Sequence, residues 1–576
     1  MPKELSLKVG GIQGEGIELA GDMLSTVLNR QGYYINTYRT FSSRIKGGNA
    51  NSKIRATTEP AYTVSDQLHV LIAFNQDAIN LNHKELEKDG LIIADAGFAP
   101  VAPESCTARI VEIPFKDIAK DVGDTLMKNI VAVGASACLM GLETDFFAEL
   151  IKERFAKKSE DIVTSNIKAL EAGRAFVLQN FPDATLKLEP PSPGNRLLMT
   201  GNNAAALGCL AGGVRFLASY PISPATDILE NLVKYLPKVG GAAVQTEDEI
   251  SAVMMAIGAN FAGVRSLTST SGPGFSLMAE ALGLAGMTET PLVVIDVQRG
   301  GPSTGLPTKT ETSDLMAAIH SAHGESPRIV LAPSTVEEAF YDSALVFNLA
   351  EEYQCPVILL LDMQLGLGSQ TVEAFDLSKV EINRGALVSE AIEAGDPGQY
   401  FKRYGLTETG VSPRVLPGME NGIHHVTGVE HDETGKPSEL TSNRANQMEK
   451  RMRKLEHVKI DVPVVIDAPH ENPDALFIGF NSTRGAIHEA ISKLAAEGVK
   501  ANHAHIRLLH PFPTDEIAPL VNNAKTVIVV ENNITAQLSQ IIKQNVNTHG
   551  KVQNVLKYNG EPFFPDELYN KCKELI

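Results

Sequence analysis

Short, nearly unbroken apolar runs recur along this chain, and most lead through a turn into a longer stretch of helical period; no other feature constrains the fold as much. LSLKV at 5–9 is followed by GGIQGEG and an apolar-periodic stretch from Ile17 to Leu28. VLIA at 70–73 and LIIA at 91–94 continue the pattern, as do RFLA at 215–218, SLTS at 266–269, LVVID at 292–296 and VILLL at 357–361. Strands that are apolar at successive positions are covered on both faces. Strands alternating with helices build parallel sheets. The expected class is α/β with several doubly wound, parallel-sheet domains, since 576 residues exceed what one core organises.

Breaks in the rhythm set the expected boundaries. LKLEPPSPG at 186–194 reads as a linker. A first domain over 1–188 is expected, then a linker over 189–196 and a second domain over 197–371. An irregular segment over 372–470 and a last α/β domain over 471–576 follow. In the irregular segment Gly, Pro, His and charge dominate. There EKRMRKLE at 449–456 predicts a solvated helix face, and His424, His425 and His431 read as loop residues. The last domain opens with the strand ALFIGF at 475–480, a turn NSTRG and a helix from Ala486 to Glu497, and continues to a strand TVIVV at 526–530.

Charge and cysteine usage exclude whole classes. A net charge of −18 argues against a general nucleic-acid binder. No basic region leads into an apolar leader, and no apolar run approaches the roughly 18 residues of a membrane span, so a cytoplasmic chain with no membrane partner is expected. Cys106, Cys138, Cys209, Cys355 and Cys572 are far apart and form no CxxC, which predicts buried free thiols and no metal site.

Four stretches carry candidate chemistry. In QTEDEISAVMMAIGA, Thr246 and Glu249 fit a capping box, yet the following helix is almost uncharged and small-residue-rich. A carboxylate heading so packed a helix is costly without a partner, which marks Glu249 as functional. In STSGPGFSL, Ser271 and Gly272 open a helix whose free N–H groups suit an anion or simply cap a turn. In VQRGGPSTGLPT, Arg299 stands alone among Gly, Ser and Thr after a strand, a setting suited to a planar carboxylate. YPISPAT at 220–226 is a proline-stiffened loop presenting Ser223. The N-terminal turn, with Gly11, Gly14 and Gly16, departs from GxGxxG, and the strand at 33–38 does not end in an acid. A tight turn and a phosphate-binding turn both fit it.

Together these blocks resemble the 2-oxoacid:ferredoxin oxidoreductases. YPISPATDILE resembles the family's YPITP loop, and QTEDEISAVMMAIGA, TSTSGPGFSLMAEALG and QRGGPSTGLPT resemble its next three blocks in order. GFNSTRGAI and LLHPFP resemble its C-terminal domain, and GGIQGEG with SRIKGG at 43–48 resembles its γ domain. The chain thus looks like an α subunit with a γ-type domain fused in front, most like the 2-oxoglutarate enzymes. The resemblance implies a thiamine pyrimidine-type domain and a transketolase C-terminal-like domain. It implies that Glu249, with Glu247 as fallback, meets the thiamine pyrimidine, and that Ser271 and Gly272 lie at the cofactor. It also implies that Ser223, Arg299 and Thr308 contact substrate, Ser223 replacing the family's threonine.

Absences fit the same resemblance. The chain has no GDG motif, so a β subunit is implied to hold the Mg²⁺–diphosphate end of thiamine diphosphate and a 4Fe–4S cluster. Coenzyme A as co-substrate, ferredoxin as acceptor and a dimer of α–β heterodimers are implied likewise. Implied turnover is oxidative decarboxylation of 2-oxoglutarate to succinyl-CoA, with pyruvate or a branched-chain 2-oxoacid as the alternative substrate. A non-catalytic assembly subunit and an NAD-binding first domain are the rival readings.

Overall fold

The computed structural model describes residues 1–42, 47–183, 186–192, 194–393 and 398–576. Ser43, Arg44, Ile45 and Lys46 of the N-terminal SRIKGG motif, and Pro193 of the linker, lie outside the described residues. The chain folds as two units. The first comprises Met1–Met199 with Leu367–Ala374 and Phe564–Glu567. Its sheet contains β1 (Glu4–Ile12), β2 (Tyr34–Thr40), β3 (Asn49–Thr57), β4 (Leu68–Ala73), β5 (Leu86–Asp95), β6 (Arg109–Ile113) and β7 (Leu197–Thr200). The order is β6-β5-β4-β1-β3-β2, then Ser369–Val372, then β7. β1, β4, β5 and β6 run parallel, but β3 is antiparallel to both β1 and β2. This sheet is therefore mixed, where a wholly parallel one was expected. NANSKIRAT gave no strand signal because its buried side chains are largely polar. Lys53 is buried against Glu85 at 2.9 Å, and Arg55 donates to Glu4 at 2.7 Å, so their charges are matched inside the fold.

The N-terminal glycine turn closes on its own side chains. Ile12 N–H donates to the Glu15 carboxylate at 3.1 Å, and Lys128 pairs with that carboxylate at 2.8 Å. Gly16 takes φ 83°, and Asn129 fills the space a Cβ there would need. These contacts suit the tight-turn reading.

The second unit comprises Thr200–Gly366, Phe375–Phe563 and Leu568–Ile576. Its larger sheet holds β8 (Phe216–Ser219), β9 (Ala242–Gln245), β10 (Ser266–Thr270), β11 (Leu292–Gln298), β12 (Ile329–Leu331) and β13 (Pro356–Asp362). Across the sheet the order is Leu508–His510, β12, β13, β11, β10, β8, β9, and only Leu508–His510 runs antiparallel. β11 and β13 are buried at every position, as two covered faces require. A second sheet pairs Val464–Asp467, Ala501–Ile506, Ala475–Gly479, Thr526–Glu531 and Val552–Leu556 in that order. One apolar core runs through both sheets, joining Val294, Ile358 and Leu360 to Ile478, Ile506 and Val529.

The two C-terminal motifs make this join. The LLHPFP strand adds to β12. In GFNSTRG, Asn481 at φ 50° donates through Nδ2 to Pro333 O (3.1 Å) and Leu360 O (2.8 Å), and its Oδ1 accepts from Gln298 Nε2 (3.1 Å).

The expectation of a solvated face at 449–456 is overturned for its main basic residues. Helix Thr441–Arg453 and the turn after it bury Lys450, Arg451 and Lys454. Lys450 donates to Glu289 at 2.6 Å, Lys454 pairs with the same carboxylate, and Arg451 holds Glu430 at 2.6 Å. Burial alone would raise the Glu289 pKa, but Lys454 and Lys450 outweigh it and hold the carboxyl well below its usual range. The counter-charge lies 161 positions before Lys450, so local charge pattern carried no sign of it. QYFKRY at 399–404 takes part as well: Arg403 donates to Glu289 O at 2.7 Å, and Tyr404 is buried against the ring of His431, itself buried in its loop. Cys209, Cys355 and Cys572 are buried free thiols as expected, whereas Cys106 and Cys138 are half-buried. Among the described residues no helix is long and apolar enough to cross a membrane.

Candidate active site

Because β8, β9, β10 and β11 are parallel, the segments leaving them emerge at one end of the sheet. Those segments are the four sequence blocks: 220–226 after β8, 246–248 after β9, 271–274 after β10 and 299–308 after β11.

Glu249 is the first residue of helix Glu249–Phe261 and is buried, while Glu247 is exposed. The capping box does not form. Asp248 is the cap, accepting from Ser251 N–H at 2.7 Å, and Thr246 donates its hydroxyl to Asp248 O. With Asp248 taking the cap, Glu249 is released from that duty. Among the described residues no group donates a hydrogen bond to its carboxylate. Gly274 explains how the next loop reaches it. A Cβ on Gly274 would lie 2.6 Å from Glu249 Oε1 and would collide with Thr270 Oγ1. Only glycine lets the 271–274 turn pack on that carboxylate.

Ser271 heads the short helix Gly272–Leu277, and its buried hydroxyl has no partner among the described residues. Gly272 lies against an acid the sequence did not single out: Asp314 Oδ2 is 2.8 Å from where a Cβ would stand.

Arg299 is buried. Its Nη1 donates to Ser223 O at 2.6 Å and Nη2 to Thr304 O at 3.3 Å, while Nε has no partner among the described residues. The guanidinium thus ties the 220–226 loop to its own loop. Leu306 N–H donates to Gly300 O at 2.7 Å and Gly300 N–H to Lys309 O at 3.0 Å, closing that loop on itself. Ser223 is brought to Arg299 through its backbone and leaves its side chain exposed. Thr308 is half-buried near the loop's end and takes no part in these hydrogen bonds. Burial lowers the Arg299 pKa, and Asp314 counters this.

Asp296 near the end of β11 is wholly buried, and neither of its oxygens has a hydrogen-bond partner among the described residues. Burial raises its pKa well above the usual carboxylate range, and Asp314 adds to the rise. Burial also pushes Asp314 up to about 6, with Arg299 opposing and Glu311 adding. One sign of Asp296 was present in the sequence: it interrupts an apolar strand. Asp314 gave none, since TSD in a polar stretch reads as a turn.

Three family models cover most of the chain. "Pyruvate flavodoxin/ferredoxin oxidoreductase, thiamine diP-bdg" matches residues 207–451, "Pyruvate ferredoxin/flavodoxin oxidoreductase" matches 6–176, and "Pyruvate:ferredoxin oxidoreductase core domain II" matches 473–568. The 2-oxoacid:ferredoxin oxidoreductase subunit alpha of Saccharolobus solfataricus is 31% identical, covering 99% of this chain and 98% of its own. The 2-oxoglutarate oxidoreductase subunit KorA of Mycobacterium tuberculosis is 32% identical, covering 98% and 90%. Among solved structures, the 2-oxoglutarate:ferredoxin oxidoreductase of Magnetococcus marinus, with 2-oxoglutarate, coenzyme A and succinyl-CoA bound, superimposes with a TM-score of 0.92. It is 36% identical over 100% of both chains.

Proposed function

This chain belongs to the 2-oxoacid:ferredoxin oxidoreductases as an alpha subunit, and on that premise we propose that its substrate is 2-oxoglutarate. The acid would be decarboxylated and joined to coenzyme A as succinyl-CoA, while two electrons leave one at a time for ferredoxin. Relatives named for 2-oxoglutarate support that choice. The pyruvate names of the matched family models favour pyruvate as the second reading.

The observation that carries the site is Glu249, a buried residue with no donor on its carboxylate among the described residues, packed on Gly274 at the sheet end that also holds Arg299. A buried acceptor without a donor suits the pyrimidine ring of thiamine diphosphate. We assign Glu249 to hold a proton at that ring, with Ser271 and Gly272 beside it and exposed Glu247 set aside. When bound, the cofactor supplies the carbon nucleophile and the electron sink. Arg299 would hold the substrate carboxylate by charge-assisted hydrogen bonds. Its loop and the 220–226 loop would place the hydroxyls of Ser223 and Thr308 toward the acid. Burial of Arg299 limits competition from water.

The chain has neither GDG nor CxxC, so we assign the Mg²⁺–diphosphate end and a 4Fe–4S cluster to a beta subunit, in a dimer of alpha–beta heterodimers. The test is 2-oxoglutarate-dependent reduction of a viologen dye with coenzyme A and thiamine diphosphate, by this chain alone and with its beta subunit. Activity in the complex alone, abolished by Glu249→Gln, is expected. Turnover by the isolated chain would refute the split site, and turnover of pyruvate or a branched acid in place of 2-oxoglutarate would refute the substrate.

A further inference from the structure

Asp296 and Asp314 are joined through β11. Asp314 N–H donates to Gln298 Oε1 at 3.1 Å, and Gln298 stands two residues beyond Asp296 and next to Arg299. Asp296 has both carboxylate oxygens buried without hydrogen bonds, and Asp314 has Oδ2 in the same state, among the described residues. Arg299 Nε is also unpartnered there, so the guanidinium keeps donors uncommitted, its Nε–H among them. The charged groups facing the pair are Arg299 and Glu311 from the loop after β11, with Glu249 beyond Gly274. A buried and a half-buried carboxyl with so few donors do not both ionise readily, because each charge raises the cost of the other. They titrate as a unit rather than as separate groups.

We infer that Asp314, with Asp296 behind it, is a positioning residue for Arg299, and that the number of protons on this carboxyl pair sets how tightly the site holds a 2-oxoacid. The inference rests on the reading of Arg299 as the ligand of the substrate carboxylate. When the pair carries two protons, Arg299 faces no anion of its own and its charge is available to substrate. When Asp314 loses its proton, its charge draws on the guanidinium and adds negative potential where the substrate carboxylate must sit. Binding then weakens. The transition falls near the range to which burial pushes Asp314, about 6, so affinity falls as pH rises through it.

The test uses the assembled alpha–beta complex. KM for 2-oxoglutarate is measured across pH beside kcat, together with the 2-oxoglutarate-induced rise in melting temperature, which needs no turnover. For the wild type, KM is expected to rise about tenfold between about pH 5 and about pH 7.5 while kcat changes less. Asp314→Asn should give a low KM that no longer depends on pH. Asp296 keeps its proton across this range, so Asp296→Asn leaves the charge beside Asp314 unchanged and should keep the wild-type rise in KM. The stabilisation by 2-oxoglutarate should follow the same two patterns, flat with pH for Asp314→Asn and falling with pH for Asp296→Asn. An Asp314→Asn variant that keeps the wild-type profile overturns the inference, as does a loss of kcat or stability with the profile intact. Should neither variant assemble, a flat wild-type KM overturns it, and a rise that Arg299→Gln removes supports it. Arg299→Gln with KM unchanged at every pH would instead remove the reading of Arg299 itself.

Discussion

Gly274→Ala tests the active-site geometry without touching a charged group. The new methyl carbon would stand 2.6 Å from Glu249 Oε1 and 2.7 Å from Glu249 Cγ, nearly an ångström short of ordinary contact. It would also strike Thr270 Oγ1, and a β-branched side chain in a fully buried strand has little room to turn away. The Glu249 carboxylate is the more mobile neighbour and is expected to yield. Displacing a catalytic group by about 1 Å costs about 100-fold in rate, or about 2.7 kcal/mol of barrier. Overpacking adds about 1–3 kcal/mol of destabilisation. The complex should therefore show kcat lowered about 100-fold and weaker retention of thiamine diphosphate. KM for 2-oxoglutarate should move little, because the Arg299 loop is not struck. Gly283→Ala is the control. It lies in helix Ala279–Met287, and its methyl would meet nothing nearer than Ala322 Cβ at 3.9 Å. That change should leave kcat alone and add about 0.5–1 kcal/mol of stability. Unaltered kcat in a folded Gly274→Ala complex would refute the packing of this turn on the Glu249 carboxylate.

Lys454→Met should lower the melting temperature of the complex strongly, since breaking a buried ion pair from one side costs about 3–5 kcal/mol. Lys573→Met, at an exposed pair with Glu497, should produce no measurable shift. Glu430 gives a pH signature. Burial alone would raise its pKa, but Arg451 and Arg444 outweigh this and lower it from 4.5 to about 2. Its stabilisation is therefore complete above the unfolded value and is lost as pH falls toward about 2. Glu430→Gln should melt lower at neutral pH and lose less of its remaining stability across that acid window.

Where the chain's chemistry is local, the sequence was enough. LVVID and VILLL could only be strands covered on both faces, and the loops after them followed from parallel topology. Helix Glu249–Phe261 was legible because thirteen residues with one charge leave few alternatives to burial. The larger misreadings come from partners distant in sequence. β3 is polar because its lysine and arginine find carboxylates elsewhere in the first unit. The basic run at 449–456 resembles a solvated face because Glu289 lies far behind it. β9 and β12 are too short, at four and three residues, for their pattern to stand out. Asp314 was invisible because its meaning depends on Asp296 and Arg299, not on its neighbours in sequence.

The buried acids of the second unit fall into two kinds, and the contrast argues for the site independently of any motif. Glu351 takes Arg265, Arg384 and Arg414, Asp342 takes Arg507, and Glu289 takes two lysines. Asp362 accepts from Ser482 and Leu365 N–H, and Glu531 accepts from Leu538 and Ser539 N–H. This fold can therefore satisfy a buried carboxylate by ion pairing or by backbone donors. Asp296 receives neither at either oxygen, half-buried Asp314 receives neither at Oδ2, and Glu249 is given no donor, among the described residues. All three gather at the carboxyl end of one parallel sheet, beside an arginine with a spare donor. Leaving such groups unsatisfied costs stability that neighbouring positions show to be avoidable. A chain whose local rules agree everywhere else breaks them together at a site where the missing donors come from what binds there.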